Sequence, residues 1–262
     1  ALRYGVTDTL ARFYEGEMLR YTGDYAGAER SYRAHLDSFP GDEAALRGIE
    51  ACHDAEALKK KGSAYTIRLE RLFNASRSDY APALLGDEGD RLFFTTTRPQ
   101  TTGDEVSGIT EQKNGDIFMA KKDEKGRWLR PEAVEGGVNT EYDEGACSFS
   151  PDGQTMYLTV CPTHPQYPRM AEIWTSARTD ASWGKPQQLK ITADTLSSYA
   201  HPAVSPDGRW LYFVSDMPGG EGGLDLWRAV VDGHGVGPVE NLGPDVNTAG
   251  NEMFPAFRPT GE

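Results

Sequence analysis

Ser150-Pro151-Asp152-Gly153 and Ser205-Pro206-Asp207-Gly208 are the same tetrapeptide, written twice, 55 residues apart. Proline sets φ at the second position of a tight turn, aspartate bonds its own backbone, and glycine accepts positive φ. Each copy leads into a short apolar run, first Met156-Tyr157-Leu158 and then Trp210-Leu211-Tyr212-Phe213-Val214. The tetrapeptide therefore predicts a hairpin turn between two antiparallel strands, and the repetition predicts the same unit more than once.

Weaker copies extend this repeat in both directions. They are Gly86-Asp87-Glu88-Gly89 before Leu92-Phe93-Phe94, and Phe257-Arg258-Pro259-Thr260-Gly261. A third strand is predicted after each turn, at Asp116-Ile117-Phe118, Glu172-Ile173-Trp174 and Asp225-Leu226-Trp227. A fourth element carries Trp128-Leu129-Arg130-Pro131, Trp183-Gly184-Lys185-Pro186 and, in weakened form, Gly235-Val236-Gly237-Pro238. Four strands per unit at a fixed period are typical of a β-propeller.

Two further features recur in register with the predicted blades. The linker Val138-Asn139-Thr140 returns as Val246-Asn247-Thr248, although the middle unit lacks it. All five tryptophans fall within the units, where large rings are expected to pack between neighbouring blades. A β-sandwich with accidental similarity is the alternative. Sialidase Asp-boxes and kelch repeats do not fit, because Asp152 and Gly153 are adjacent and Gly222-Gly223 is followed by Leu224-Asp225-Leu226-Trp227.

Residues 1–61 have a different composition, rich in Ala, Leu, Glu and Arg, which favours helix throughout. A tetratricopeptide spacing runs through Gly16, Leu19, Gly23-Asp24-Tyr25, Ala28, Tyr32, Leu36 and Pro40. We expect Tyr25 and Tyr32 to fill the groove between two helices and Pro40 to end the second helix. Asp42 is the predicted N-cap of a third helix from Glu43 to Cys52. The alternative is an ordinary helical hairpin.

The predicted fold class is α+β and multidomain, with tetratricopeptide-type helices followed by a partial all-β propeller of four-stranded blades. Residues 1–61 form the helical domain, residues 62–79 connect, and residues 80–262 hold about three blades plus the first strand of a fourth. One and a half helical repeats and three and a fraction blades predict a piece of a longer protein. Within the connection, Tyr65-Thr66-Ile67-Arg68-Leu69 is a candidate outer strand that latches the last blade.

Charge limits the classes of partner. The net charge is −13, and residues 1–61 carry 9 Lys and Arg against 11 Asp and Glu. The remaining residues carry 18 against 29, so the predicted propeller is strongly acidic. This argues against binding nucleic acid and against docking on anionic lipid. No run of eighteen apolar residues is present, so no direct membrane span is predicted.

No motif in the chain predicts catalysis. The Gly-x-Ser-x-Gly elbow, phosphate-binding loop, His-Glu-x-x-His and EF-hand patterns are all missing. The repeating aspartates are expected to form turns, with calcium binding as the less favoured alternative. The histidines share no spacing, and His201 is expected to pack at a strand start. The sequence therefore predicts no catalytic residue, no cofactor and no metal.

Cysteine usage leaves one question open. Cys147 and Cys161 flank the hairpin of the second predicted blade, and Cys147 is expected to lie opposite Leu158 or Thr159. A Cys147–Cys161 disulfide remains an alternative in an oxidising compartment. Cys161 and His164 resemble a ligand pair, but two residues do not make a metal site, so a structural loop is the favoured interpretation.

The blade pattern over residues 80–262 resembles the WD-like, TolB-type propeller repeat. With the helices and the junction Asn74-Ala75-Ser76-Arg77-Ser78-Asp79-Tyr80-Ala81-Pro82, nearly the whole chain resembles the PorE-like envelope proteins of Bacteroidetes. That resemblance implies a periplasmic, lipid-anchored, outer-membrane-associated component of the type IX secretion system. It also implies a C-terminal OmpA-like domain that binds peptidoglycan and lies outside these residues.

The expected function is a non-enzymatic scaffold whose partners are envelope proteins of a secretion complex. Peptidoglycan would be bound through the implied OmpA-like domain. Two alternatives remain. One is the propeller of a peptidase whose catalytic domain follows, and the other is a TolB-like adaptor that binds a soluble ligand in the central channel.

Overall fold

The computed structural model describes residues 10–86, 89–104, 106, 111–162, 170–180, 182–232 and 235–258. The chain divides into two compact units, Ala1–Arg68 and Leu69–Glu262. The described helices lie in the first unit and the described strands in the second. The predicted function of residues 62–79 as a latch stays a prediction. Tyr65–Leu69 are exposed and are not part of any strand.

The three described helices are α1 (Ala11–Thr22), α2 (Tyr25–Leu36) and α3 (Glu43–Lys61). The Asp42 side chain accepts the Ala45 N–H at 3.0 Å, which confirms it as the N-cap of α3. The predicted end at Cys52 was wrong, because α3 continues to Lys61. The sequence Lys59-Lys60-Lys61 predicts a helix C-terminus, where cations are favourable, and this is confirmed because the three lysines lie in the last turn of α3. Pro40 does not end α2 directly. The helix closes at Leu36 with a turn in which the His35 carbonyl accepts two N–H groups.

Tyr32 is the centre of the helical core. It is fully buried, and β-carbons added at Gly16 of α1 and Gly48 of α3 would each lie 2.7 Å from its ring. The two glycines therefore let both helices approach the ring closely. Tyr25 packs at the edge of the same cluster and is partly buried. The predicted roles of both tyrosines are confirmed, while the tetratricopeptide identity of the helices stays a proposal.

The described strands form three four-stranded antiparallel sheets, each built from consecutive strands. Blade 1 contains β1 (Asp79–Leu85), β2 (Arg91–Thr96), β3 (Asp116–Lys121) and β4 (Glu132–Ala133). Blade 2 contains β5 (Asp143–Phe149), β6 (Thr155–Cys161), β7 (Glu172–Ala177) and β8 (Gln187–Gln188). Blade 3 contains β9 (Tyr199–Val204), β10 (Trp210–Ser215), β11 (Asp225–Asp232) and β12 (Gly235–Asn241). This is propeller-type architecture.

The third strand of each blade begins at the predicted residue, Asp116, Glu172 or Asp225. The fourth strands differ from expectation. The weakest of the three motifs forms β12, which is the longest of the three fourth strands. In blades 1 and 2 the tryptophan makes only an isolated bridge, and a proline separates it from a two-residue strand. Proline has no N–H to donate and interrupts the ladder there, whereas β12 includes Pro238 as an edge strand.

The Ser-Pro-Asp-Gly turns are confirmed in both strong copies. Ser150 Oγ accepts the Thr155 N–H at 2.9 Å, and the equivalent Ser205 Oγ accepts the Trp210 N–H at 3.0 Å. The glycine at the fourth position of each turn has a positive φ, which is 65° at Gly153 and 73° at Gly208. In the weaker copies, Asp87-Glu88 and Pro259-Thr260-Gly261 lie outside the described residues.

The repeated asparagine of the linkers joins each linker to its blade. Asn139 Oδ1 accepts the Ile117 N–H at 2.8 Å, and its Nδ2 donates to the Ile117 carbonyl at 3.0 Å. Asn247 makes the same pair of bonds to Leu226 at the same distances. A side-chain amide thus satisfies both polar groups of one strand residue, as another strand would.

Between blades 1 and 2 the core is aromatic. Trp183 of blade 2 lies 6.5 Å from Phe93 of blade 1, measured between ring centroids, and both are buried. This confirms the expected packing between blades for Trp183. Trp128 and Trp210 differ, because they lie under the cations of Lys122 and Arg228 within their own blades.

Candidate functional site

A cleft of about 930 Å³ lies at the turn ends of the inner strands β1, β5 and β9. We call it the turn-side cleft. The segment 255–258 completes its wall. Its apolar lining includes five prolines that have no backbone N–H, namely Pro82, Pro151, Pro202, Pro206 and Pro255. Equivalent positions of successive repeats thus form one continuous surface.

Guanidinium groups give this cleft its charge. Arg91, Arg178 and Arg258 line it, and so does Asp90, whose carboxylate lies 3.9 Å from Arg91 Nε. Asp152 also lines the cleft, but its carboxylate accepts the Ser150 hydroxyl and the Gln154 N–H of its own turn. These bonds hold the pKa of Asp152 below its usual value. The cleft therefore contains three guanidinium groups and two carboxylates, and the Asp152 carboxylate is engaged within its own turn.

A smaller cavity of about 160 Å³ lies at the opposite ends of the inner strands. Its lining includes Tyr80, Glu144, Thr159, Cys161 and His201. Burial raises the pKa of Tyr80, raises that of Glu144 to about 7 and lowers that of His201 to about 4. His201 is therefore neutral at neutral pH, and Glu144 titrates there.

These groups are engaged in structural bonds. Glu144 accepts both the N–H and the hydroxyl of Thr140 in the linker before its strand. The His201 ring stacks on Phe254, with centroids 3.8 Å apart, and its Nδ1 faces the Phe254 N–H at 3.4 Å. The expected packing role of His201 is confirmed. The arrangement joins strands and linkers.

Sequence reasoning missed a strained position on each inner strand. Ala81, Ala146, His201 and Phe254 all have positive φ, between 34° and 56°. The pairing registers shift at the first three, as in β-bulges. The Ala146 N–H donates to Thr95 Oγ1 at 3.1 Å, and the His201 N–H donates to Thr159 Oγ1 at 2.9 Å. The bulges of blades 2 and 3 therefore each bond the preceding blade. The X-Pro pairs at three of the four positions were the available signal.

The junction peptide has a structural role at the start of blade 1. Asp79 accepts the Ala75 N–H at 2.6 Å and pairs with Arg98 at 2.9 Å, and both side chains are largely buried. Arg98 also donates to the Phe73 carbonyl and lies over the rings of Phe94 and Phe118. The junction is therefore tied to the blade by a buried ion pair and cation–π contacts.

Both blade cysteines carry thiols and form no disulfide, as does Cys52 of the helical unit. Cys147 lies opposite Leu158, as predicted, and Cys161 lies opposite Asp143. Burial raises the pKa of Cys147 to about 12, so its thiol is unreactive. His164, which with Cys161 resembles a ligand pair in the sequence, lies outside the described residues, as does His234.

The other two histidines lie in the helical unit. His35 pairs with Asp42 at 2.9 Å, and His53 pairs with Glu29 at 3.1 Å. Across the described ranges, no group of three or more His, Cys, Asp or Glu side chains is placed to hold a metal ion. No helix in those ranges is long and apolar enough to cross a bilayer.

No protein-family model matches the sequence, and no curated protein matches it. Among solved structures, TolB from Acinetobacter baumannii superposes with a TM-score of 0.42 and 16% identity, over 72% of this chain and 37% of that chain. The putative TolB from Agrobacterium tumefaciens has a TM-score of 0.39 and 21% identity, over 72% and 69%. A puromycin-hydrolyzing peptidase from Mycobacterium tuberculosis has a TM-score of 0.36 and 16% identity, over 64% and 32%. The chain thus spans little more than a third of the A. baumannii TolB.

Proposed function

We propose that this chain is a non-enzymatic scaffold that binds partner proteins in the periplasm, in an envelope assembly associated with the outer membrane. The observation that carries the proposal is the turn-side cleft. Four consecutive repeat units build its wall, and three arginines and five prolines line it. Such a surface suits an extended segment of a partner protein that carries carboxylates, because guanidinium groups bind carboxylates in two-point geometry.

The finer proposal concerns the assembly. The resemblance of the repeats and the junction to PorE-like proteins supports a place in the type IX secretion system. On this proposal, peptidoglycan is bound by an OmpA-like domain outside these 262 residues. The partners are then envelope proteins of the secretion complex, held by the propeller and the helices.

The test is a cross-linking pull-down of the full-length protein from its native envelope, read by mass spectrometry. Wild type and the control Arg130→Ala, which removes an exposed arginine outside the cleft, should recover outer-membrane secretion proteins equally. The double variant Arg91→Ala/Arg178→Ala should recover several-fold less. Equal recovery by all three proteins would remove the cleft from the proposal, and recovery of no envelope protein would overturn the scaffold.

The same full-length protein can be used to test the two alternative functions. A peptidase with a propeller gate predicts hydrolysis of peptides by the full-length protein. A TolB-like adaptor predicts that a soluble ligand raises the melting temperature, because a ligand that binds only the folded state stabilises it.

A further inference from the structure

The junctions between successive repeats use the same hydrogen bond, with one exception. Ala146, the strained residue of β5, donates its N–H to Thr95 Oγ1 at 3.1 Å, and His201 of β9 donates to Thr159 Oγ1 at 2.9 Å. The pairing registers place Thr95, Thr159 and Val214 at equivalent positions of β2, β6 and β10. Valine has no hydroxyl, so β10 cannot offer the acceptor that the other two junctions use.

His201 supplies an acceptor at the third junction. The strained residue there is Phe254, whose N–H donates to His201 Nδ1 at 3.4 Å, and the two rings stack with their planes 18° apart. A neutral imidazole that accepts at Nδ1 carries its proton on Nε2, so the contact requires the neutral ring in one tautomer. At 3.4 Å this bond is longer than either threonine bond, and we infer that it is the weakest of the three.

This bond lies at the start of the segment that completes the turn-side cleft. Pro255, Phe257 and Arg258 follow Phe254 closely along the chain, and all three line the cleft. The Phe257 ring makes a second contact, edge to face with Tyr212, at 5.0 Å between centroids. The placement of Arg258 in the cleft wall therefore depends on the contacts that Phe254 and Phe257 make with blade 3.

We propose that His201 is a positioning residue for the turn-side cleft, and that the segment 254–258 is released when His201 Nδ1 takes up a proton. A protonated ring presents an N–H where the Phe254 N–H needs an acceptor, so the hydrogen bond is lost. A threonine hydroxyl does not titrate, so the first two junctions do not respond in this way. This inference rests on the proposed protein-binding function and adds regulation to the same site.

Burial sets the pH at which this release occurs. Among the described residues, the titratable side chains that line the small cavity with His201 come from β1, β5 and β6, namely Tyr80, Asp143, Glu144 and Cys161. The strands β7 and β10 also pack near β9 and add no described titratable residue to that lining, and Glu252 of the segment is bonded to Thr248. Burial lowers the pKa of His201 from 6.5 to about 4. The contribution of neutral His201 to stability is therefore complete above about pH 6.5 and is lost as the pH falls through about 4.

Hydrogen exchange of the Phe254 amide, measured by NMR as protection relative to the unfolded rate, tests the bond directly. His201→Phe keeps a ring against Phe254 but removes the acceptor, and it should lower the protection of this amide about tenfold at pH 7. Adding Val214→Thr should restore the protection, because β10 then offers the hydroxyl that β2 and β6 offer. The Ala146 amide, bonded to Thr95, is the internal control and should keep its protection in every variant.

A pH series separates the effect of the proton from that of the bond. Between pH 7 and about pH 3.5, wild type should lose protection at Phe254 before it loses protection at Ala146. His201→Asn, which places an amide oxygen near the position of Nδ1 and tolerates positive φ, should keep the protection at pH 7 and remove the pH response. Equal protection of Phe254 in wild type and His201→Phe, or loss at Phe254 and Ala146 at the same pH, would overturn the inference.

The pull-down separates this inference from the proposed function. In the full-length protein at pH 7, His201→Phe should recover several-fold less of the envelope proteins, and His201→Phe/Val214→Thr should recover as much as wild type. Equal recovery by His201→Phe, despite faster exchange at Phe254, would overturn the positioning role of His201 in the cleft. Recovery of no envelope protein by any form would contradict the proposed function, while exchange at Phe254 would still decide whether a proton releases the segment.

Discussion

Glu144 is a fully buried carboxylate on β5 whose two oxygens accept bonds from Thr140. Burial outweighs these donors and raises its pKa from 4.5 to about 7. The folded state thus holds this proton more tightly than the unfolded chain does. Its contribution to stability is present below about pH 4.5 and is lost as the pH rises through about 7.

The variant Glu144→Gln removes this titration while keeping the size of the side chain. Between about pH 5 and 8, wild type should lose up to about 3 kcal/mol relative to the variant. Tryptophan fluorescence measures this, because all five tryptophans lie in the propeller. Glu252→Gln is the control, since Glu252 makes the same two contacts with Thr248 at a more exposed site. Parallel pH profiles for wild type and Glu144→Gln would contradict the prediction.

Thr159 joins two blades through one hydroxyl, which accepts the N–H of the strained residue His201. Thr159→Val keeps the shape but leaves that backbone N–H without its acceptor. We expect a loss of about 1–3 kcal/mol in the unfolding free energy of the propeller, measured by urea titration of tryptophan fluorescence. Thr175→Val, at a β7 residue with no described side-chain hydrogen bond, should be nearly neutral. An unchanged unfolding free energy in Thr159→Val would show that the His201 N–H finds another acceptor.

At the scale of the element, the packing of the three helices requires glycine at positions 16 and 48, because no side chain fits between these positions and the Tyr32 ring. Alanine at Gly48 places its β-carbon 2.7 Å from the Tyr32 ring. Although alanine favours helix by about 1 kcal/mol, this overlap should destabilise the helical unit by about 1–3 kcal/mol. Gly41→Ala is the control, because its β-carbon meets nothing within 4 Å. Far-UV circular dichroism during denaturation follows the helices, and equal stability of the two variants would be the contrary result.

Turns and strand starts that are set by residues nearby in the sequence were predicted well. The extent of a strand that is set by pairing with another strand was not. The Ser150 turn and the start of β3 at Asp116 are set by local residues. The extent of β12 depends on the strand beside it. Gly235-Val236-Gly237-Pro238 is a poor strand motif, yet it forms a full edge strand against β11. Strand propensity depends on such context.

For the whole molecule, charge is the dominant long-range property. The net charge of −13 lies mostly on the propeller, and the arginines of the cleft are local exceptions. We therefore expect no measurable binding to duplex DNA at about 0.15 M salt, because phosphate neutralisation drives such binding. Fluorescence anisotropy with labelled DNA tests this. Binding whose affinity falls steeply with salt would show that the cleft arginines form a nucleic-acid site.

The sequence by itself determined the repeat, the turns, the third-strand starts, the core tyrosine and the acidic character, because each depends on residues near one another or on composition. Only the tertiary structure decided the strained positions, such as Ala146, and the threonine acceptors of the preceding blade. It alone also decided that Asn139 bonds Ile117 and that arginines from separate repeats line one cleft. The physical reason is distance along the chain. Ala146 and Thr95 are separated by 51 residues, and no local pattern encodes a bond that forms only when two blades pack.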